Sequence, residues 1–446
     1  MDMKLFLPFA IGLTIMLVLM LKTKLGPFAS MLLGALIIGM GCGMTGNDTI
    51  NAITQGFGGT CRSIGIVIIF GTILGEYLEK SNASQRIARS LLNLTGEKRA
   101  TLALSGTGFL VSIPVFSDVA LVMLSPICKA VASRTGLRLG ALAVALALTL
   151  LNTNAFVAPT PAPLAIVAIL NVEIGQSILW GLIVAAFGSF ICWLYAEYLC
   201  TKPEEWYTRS ETAEKDFGEA ARDVPENELP SIFNAVLPIL IPIILIVGNT
   251  TFKMLLPKDS SILVASSFLG NSNIALAIGT VSAIVLLYNK LPRGEGHDAI
   301  NNAMKTCGPI IFITAAGGAL AQVIRVAGVG EMFANYLIES RLPVILVPFL
   351  ITGLSKLAQG SGSVASIMAA TLTVPLCEAG AITPIVAFLS ICSGSHMGSH
   401  VNNSFFWVFA NLFGFDTKTS LKTLAVAQHI NGVACMAATW ALSFIL

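Results

Sequence analysis

The segment Leu357-Ala358-Gln359-Gly360-Ser361-Gly362-Ser363 joins two apolar runs in the second half of the chain. The runs, Leu342–Ser355 and Val364–Leu376, contain about 13 residues each, whereas a helix that spans a membrane needs roughly 20. Two half-length runs joined by small polar residues predict a hairpin that enters a membrane and turns back. Non-helical backbone at that depth survives only inside protein or beside a water-filled cavity. We therefore expect the free N–H and hydroxyl groups of this segment to face a polar ligand.

The composition predicts an all-α polytopic membrane protein surrounded by lipid. The 446 residues are 55% hydrophobic and 11% charged, against about 25% charged in soluble domains. The apolar runs do not alternate as β-barrel strands do. The net charge of +2 and the absence of a basic cluster predict no nucleic-acid partner. The nine cysteines show no CxxC or Cys/His metal spacing, so we expect neither a metal site nor a cofactor.

Three further breaks interrupt apolar runs. A first hairpin is predicted near residues 101–128, with its turn at Ser112–Asp118. The run 139–170 is interrupted around Asn152 and again at Pro159–Pro163, where three prolines in five residues cannot continue a helix. The run 382–413 is interrupted between Ser393 and Asn403. The sequence therefore predicts two hairpins and two broken spans.

The two halves of the chain have the same order of elements. Residues 1–200 and 231–446 each read as span, span, span, hairpin, broken span and span, and the polar segment 201–230 links them. A shift of 246 residues lays Thr60 on Thr306 and Gly71 on Gly317. The third span is predicted at Ile64–Leu78 and its counterpart at Pro309–Ile324. Such internal repeats with interrupted helices are typical of secondary transporters.

The distribution of lysine and arginine predicts the orientation. With Lys22 and Lys24 placed in the cytoplasm, 19 of the 26 basic residues fall inside, 6 fall outside and Lys356 falls within the membrane. This is the positive-inside pattern. It predicts ten spans and two re-entrant hairpins that open to opposite sides, so that the repeats are inverted. We expect a multi-pass protein of a bacterial cytoplasmic (inner) membrane, with residues 201–230 cytoplasmic and both termini periplasmic.

Several motifs carry a family resemblance over nearly the whole chain. They are Gly56–Gly59 (GFGG), Ser112–Val119 (SIPVFSDV), Thr314–Ala334 (TAAGGALAQVIRVAGVGEMFA), Lys356–Ala365 (KLAQGSGSVA) and Ser399–Gly414 (SHVNNSFFWVFANLFG). With these motifs the chain resembles the gluconate permease family, within the broader ion transporter superfamily. The resemblance implies proton-coupled uptake of gluconate or a related small sugar, hydroxy or amino acid. It also implies a homodimer in which each chain has a scaffold and a mobile transport domain.

The candidate substrate site combines the hairpin tip with the polar residues of the breaks. Helix N-termini and hydroxyl groups can hold a carboxylate, and amides and hydroxyls suit a polyhydroxylated ligand, whose groups both donate and accept hydrogen bonds. The candidate substrate-binding residues are Ser112, Ser117, Asn152, Thr153, Asn154, Thr160, Gly360, Ser361, Gly362, Ser363, Ser395, His400, Asn402 and Asn403.

Three ionisable residues have candidate roles of their own. Acidic groups inside a membrane are usually functional, so Asp118 is the first candidate for proton coupling, and this role is favoured over the alternative that the carboxylate caps the second half-helix. His396 is the second candidate, because histidine exchanges protons near neutral pH. Lys356 either neutralises the ligand's carboxylate or extends its side chain to the membrane surface.

Two alternative functions remain open from the residues alone. Sodium-coupled transport of a carboxylate or a D-amino acid is compatible with broken helices, whose backbone carbonyls can bind sodium. An intramembrane serine protease is a weaker alternative, since Ser361 or Ser363 with His396 or His400 could imitate a Ser/His pair. The repeated architecture favours a symporter, because a protease needs no alternation between two sides.

Overall fold

The protein is a bundle of α-helices. A computed structural model describes residues 3–23, 25–208, 224–257, 260–291, 295–328, 343–400 and 403–446. The helices of the first half are α1 (Met3–Lys22), α2 (Gly26–Gly41), α3 (Gly46–Lys80), α4 (Ala83–Thr95), α5 (Ala100–Val111), α6 (Ser117–Thr135), α7 (Leu139–Phe156), α8 (Pro161–Leu170) and α9 (Ile174–Cys200). Those of the second half are α10 (Ile232–Leu255), α11 (Ser261–Leu269), α12 (Ser272–Leu287), α13 (Glu295–Val326), α14 (Leu346–Gln359), α15 (Gly362–Glu378), α16 (Pro384–Gly394), α17 (Ser404–Phe413), α18 (Thr417–Ser420) and α19 (Val426–Leu442).

Among the described residues, five segments are long and apolar enough to cross a membrane. They are Leu139–Leu170, Ile174–Cys200, Ile232–Lys253, Ser272–Lys290 and Glu295–Val326, and α3 makes a sixth when its bent halves count as one span. In Leu139–Leu170, 83% of the most apolar stretch is buried inside the protein. In the segments of α10 and α12, only 33% of the corresponding stretch is buried. Apolar helices that stay exposed are suited to contact lipid. The broken run 139–170 therefore lies in the centre of the bundle, with α10 and α12 at its edge.

The two predicted hairpins and the two predicted broken runs each contain a break between helices. The further interruption predicted around Asn152 is wrong, because α7 continues to Phe156 and the Asn152 amide bonds to a neighbouring helix. At the second hairpin α14 ends at Gly360, which has a φ of +80°, and Ser361 caps α15 by accepting a hydrogen bond from the Val364 N–H. Gly360 suits this position because it adopts a left-handed conformation without steric cost. In the second broken run, Asn403 caps α17 by accepting from the Phe405 N–H at 3.0 Å. Local capping chemistry thus sets where the helices stop and restart.

Two helices are longer than the sequence pattern predicted. The third span was expected to begin at Ile64, but α3 begins at Gly46 and runs for 35 residues. Thr45 caps its start, because its hydroxyl oxygen accepts from the Asp48 N–H at 3.2 Å while the hydroxyl group donates to the Asp48 carboxylate at 2.7 Å. Similarly, α13 begins at Glu295, well before the predicted start at Pro309. The polar residues before each predicted span therefore extend the helix.

The long helices α3 and α13 pack closely against each other because of two glycines. A Cβ atom added to Gly56 would lie 2.4 Å from the main-chain oxygen of Gly318, and one added to Gly318 would lie 1.9 Å from Oγ1 of Thr60. No larger side chain fits at either position without moving a helix. Gly56 of the GFGG motif and Gly318 of the TAAGGALAQ motif thus have a packing role.

Several helix bounds of the two halves correspond at one spacing, although α1 does not match α10 at this shift. Shifted by 246 residues, α2 has the bounds of α12, the end of α3 becomes the end of α13, and the start of α5 becomes the start of α14. The other bounds of the hairpin and the broken run then agree within about three residues, except that the shifted end of α7 falls eight residues after the end of α16 at Gly394.

Candidate functional site

All four breaks contribute to one cavity of about 350 Å³. This volume lies at the lower end of the range of about 300–1,000 Å³ for small-molecule sites. The lining residues from α6, from the α7–α8 break and from the two breaks of the second half are Phe116, Ser117, Asp118, Leu151, Asn154, Ala155, Pro161, Ala162, Lys356, Gly360, Ser361, Gly362, Ser363, Ser366, Ser395, His396, Asn403 and Phe405. The structure therefore brings most of the candidate residues together, although they come from distant parts of the sequence.

The tip of the second hairpin presents small groups to this cavity. Ser361 and Ser363 are exposed and Gly362 is half-buried. Helix α15 begins at Gly362, so the unpaired N–H groups of its first turn lie at the cavity. The positive end of the helix dipole favours an anion at this position.

Lys356 contributes an ammonium group to the cavity wall. Its side chain is 4% exposed, and Nζ donates a hydrogen bond to the main-chain oxygen of Ser395 at 2.5 Å. A weaker contact joins Nζ to Oε1 of Gln428 at 3.5 Å. The side chain is therefore held inside the protein and does not extend to the membrane surface.

Two nitrogen atoms at the cavity are buried and have no hydrogen-bond partner among the described residues. They are Nδ2 of Asn154 and Nε2 of His396. The His396 ring is 2% exposed and stacks on Phe156 at a centroid distance of 6.0 Å and an interplanar angle of 17°. A buried polar atom without a partner costs free energy, so such atoms call for an explanation. A polar ligand in the cavity would supply the missing partners.

Asp118 lies in the first turn of α6 and lines the cavity next to Ser117. Its side chain is exposed to the cavity space and is not enclosed by packing. The residue before this turn, Phe116, has an extended conformation and makes no side-chain cap. The helix dipole favours a negative charge at this position. The Asp118 carboxylate therefore stabilises the start of α6 in addition to lining the cavity.

Asn152 and Thr153 are buried away from the cavity, contrary to the sequence prediction. Asn152 donates from Nδ2 to the main-chain oxygen of Ala185 at 2.6 Å and to Ser189 at 3.1 Å, and its Oδ1 accepts from Asn431 at 3.0 Å. These bonds tie α7 to α9 and α19. The Thr153 side chain is completely buried as well. Helical geometry explains the difference, since residues two apart on a helix point to different faces.

Other candidate residues have local structural roles. Ser112 donates to the main-chain oxygen of Val115 within the first hairpin, and Thr160 donates to the main-chain oxygens of Asn154 and Val157 across the proline-rich break. His400 is half-buried and does not line the cavity. Asn402 lies outside the described residues.

Two residues at the cavity stabilise its wall through bonds of their own. Asn403 caps α17 and donates from Nδ2 to Ser399 at 3.0 Å. The Ser395 hydroxyl donates to the main-chain oxygen of Cys392 at 2.6 Å, while its carbonyl accepts from Lys356. Both residues line the cavity, but the hydrogen-bonding capacity of their side chains is partly used within the protein.

Sequence reasoning missed two polar residues near the site. Ser366 lines the cavity three residues after Ser363, and this helical spacing could have identified it. Gln428 is 1% exposed and contacts Lys356 from α19, and nothing in its local sequence sets it apart from a buried helix residue.

Comparison with known proteins matches nearly the whole chain to one family. The profile of a family described as GntP family permease matches residues 4–445. An uncharacterized permease of Haemophilus influenzae is 35% identical, over 94% of this chain and 88% of that protein. A high-affinity gluconate transporter of Escherichia coli is 29% identical, over 98% of this chain and 99% of that protein.

A solved structure has a similar fold at low sequence identity. The crystal structure of the YdaH transporter of Alcanivorax borkumensis aligns with a TM-score of 0.62 and 15% identity, covering 94% of this chain and 97% of that one. This similarity concerns the fold alone, and it places the helical arrangement among those of membrane transporters.

Proposed function

This chain belongs to the GntP family of permeases, and from that premise we propose that it takes up gluconate or a related small sugar acid in symport with protons. The permease family and the apolar helices make it an integral membrane protein. Its relatives are named as permeases and transporters, not as enzymes.

The observation that carries the substrate proposal is the composition of the cavity wall. The ammonium group of Lys356 and the N-terminus of α15 lie where they can balance the charge of a carboxylate. Asn154, Ser361 and Ser363 can form hydrogen bonds with hydroxyl groups. Leu151 and Phe405 add apolar surface that can contact the carbon chain. A short polyhydroxylated anion uses all three kinds of surface, which a purely apolar ligand would not.

Proton coupling is proposed because Asp118 and His396 both line the cavity. Each group can gain and lose a proton, and each would do so next to the bound anion. A proton taken up together with the substrate would partly neutralise the charge that crosses the membrane.

The membrane architecture is also part of the proposal. We propose ten spans and two re-entrant hairpins in two inverted repeats, residues 1–200 and 231–446, with residues 201–230 in the cytoplasm and both termini in the periplasm of a bacterial inner membrane. The common spacing of 246 residues between several helix bounds supports the repeat, and the distribution of basic residues supports the orientation. By resemblance to the superfamily, the protein would form a homodimer with scaffold and transport domains.

The structure does not favour the hydrolase alternative. Ser361, Ser363 and His396 share the cavity, but Nε2 of His396 makes no hydrogen bond to either serine hydroxyl or to any other group in the described part of the chain. An activated nucleophile would need that bond.

The experiment that tests the proposed function is uptake into proteoliposomes. Purified protein would be reconstituted and offered labelled gluconate, other aldonates, short hydroxy acids and D-amino acids, with a proton or a sodium gradient imposed separately. We expect an inward proton gradient to concentrate aldonates, and a protonophore to abolish the effect. Accumulation of D-amino acids in preference to aldonates, or accumulation under a sodium gradient alone, would contradict the proposal. Protein-free liposomes provide the control for leakage.

A further inference from the structure

The ammonium group of Lys356 is held by oxygen atoms that are suited to a metal cation. One of its partners, the main-chain oxygen of Ser395 at 2.5 Å, belongs to the residue that ends the half-helix α16. Carbonyl groups at a helix C-terminus have no partner within the helix and carry the negative end of the helix dipole. The second oxygen is the side-chain amide oxygen of Gln428.

The same kinds of oxygen form the ion sites of secondary transporters with broken helices. There, unwound backbone carbonyls and the C-terminal ends of half-helices coordinate the coupling ion. In this protein the position carries a cation that is covalently attached to the chain. The attached ammonium and a sodium ion have the same charge, so the ligand's carboxylate would experience the same net charge from either.

The hairpin tip joins this position to the ligand cavity. A Cβ atom added to Gly362 would lie 3.7 Å from the main-chain oxygen of Ser395 and 3.9 Å from Nζ of Lys356. The ammonium is therefore covered directly by the first residue of α15, whose N–H groups face the cavity. A cation at this position would help to fix the tip in the conformation that binds an anion.

We propose that Lys356 occupies a built-in cation site and replaces a coupling sodium ion, so that ligand binding does not depend on sodium. The proposal rests on the proposed function in so far as the ligand is a sugar acid, but the cation site itself does not depend on which ligand binds. It predicts that removal of the ammonium exposes a vacant site that sodium can fill.

The test compares wild-type protein with Lys356→Ala and Lys356→Ser in detergent, first without any ligand. The melting temperature is measured in sodium chloride and in potassium or choline chloride at equal ionic strength. We expect sodium to stabilise the two variants specifically and to leave the wild type unchanged, since a ligand that binds only the folded state raises its stability. This readout requires no substrate, so it can succeed or fail independently of the gluconate proposal.

The second measurement is gluconate affinity in the same salts. For both variants we expect affinity to be higher in sodium by about 5–150-fold, the usual range for coupling between two sites. Lys422→Ala is the matched control, because Lys422 binds the main-chain oxygen of Trp206, away from the cavity, and its loss should create no response to sodium.

Three results would overturn the proposal. The first is a sodium-specific response of the wild-type protein. The second is that neither variant responds to sodium more than the Lys422→Ala control does. The third is that neither variant can be purified in folded form in sodium, because sodium would then be unable to replace the ammonium.

Discussion

The side-chain amides of Asn152 on α7 and Asn431 on α19 are joined by a hydrogen bond of 3.0 Å, although 279 positions separate them in the sequence. Both residues are completely buried. Their bond, together with those from Asn152 to α9, fixes three helices around the central broken run. Asn152 therefore acts on the site through the position of its helix, whereas Asn154, two residues later, lies at the cavity itself.

Replacement of Asn152 should affect stability and not ligand binding. We expect Asn152→Ala to lower the free energy of unfolding by about 1–2 kcal/mol, because it leaves the buried Asn431 amide without an acceptor. The gluconate dissociation constant should stay unchanged. Thermal unfolding and titration calorimetry of the same preparation measure the two quantities.

Asn154→Ala is the matched control and should show the opposite pattern, with weaker binding and little change in stability. If Asn152→Ala instead weakens binding and leaves stability intact, the sequence prediction of a ligand role for Asn152 was right and the packing role is wrong.

The contrast between these two asparagines shows what the sequence could and could not predict. The breaks were visible because prolines, glycines and small polar residues interrupt apolar runs. The hairpin tip at Gly360–Ser363 was therefore located from the sequence alone. An amide in an apolar helix looks the same whether it faces a ligand or another helix, so Asn152 could not be distinguished from Asn154.

Other features depend on contacts between distant parts of the chain. Gln428 reaches Lys356 only because α19 packs beside the hairpin, and no local pattern indicates that neighbour. The early start of α3 was in principle visible, since Thr45 and Asp48 have the spacing of a helix N-cap. The polar, glycine-rich composition of residues 43–60 instead indicated a surface helix and turn, separate from the span.

The two serines of the hairpin tip should differ when replaced. A lost hydrogen bond to a charged group costs about 1.5–3 kcal/mol, so each of Ser361→Ala and Ser363→Ala should weaken gluconate binding roughly ten- to hundred-fold. Ser361→Ala should also lower stability by about 0.5–2 kcal/mol, because Ser361 caps α15. Ligand-induced thermal stabilisation and the melting temperature of the ligand-free proteins separate the two effects. If both variants bind gluconate as tightly as the wild type does, the hairpin tip has a packing role and does not bind the ligand.

Replacement of Asp118 should uncouple transport from the proton gradient. We expect Asp118→Asn to abolish accumulation of gluconate driven by a proton gradient, since the amide cannot carry a proton across. Exchange of labelled for unlabelled gluconate, which needs no net proton movement, should continue. Asp48→Asn provides the control, because Asp48 also lies in the first turn of a helix but is outside the cavity. Continued accumulation by Asp118→Asn would move the coupling role to His396.

The orientation of the chain can be tested with reporter fusions. The charge distribution predicts that residues 201–230 lie in the cytoplasm and Leu446 in the periplasm. Alkaline phosphatase should therefore be active when fused after Leu446 and inactive when inserted within residues 209–223. A cytoplasmic C-terminus would rule out the ten-span topology, and with it the proposal that the two halves have opposite orientations.

The central claim is that the cavity enclosed by the four breaks is the substrate site. Electron cryo-microscopy of the protein in lipid nanodiscs, with and without gluconate, tests it most directly. We expect ligand density between the hairpin tip at Gly360–Ser363 and Asn154, with the carboxylate towards Lys356 and the start of α15. Gluconate density elsewhere in the protein, with this cavity unchanged between the two maps, would contradict it.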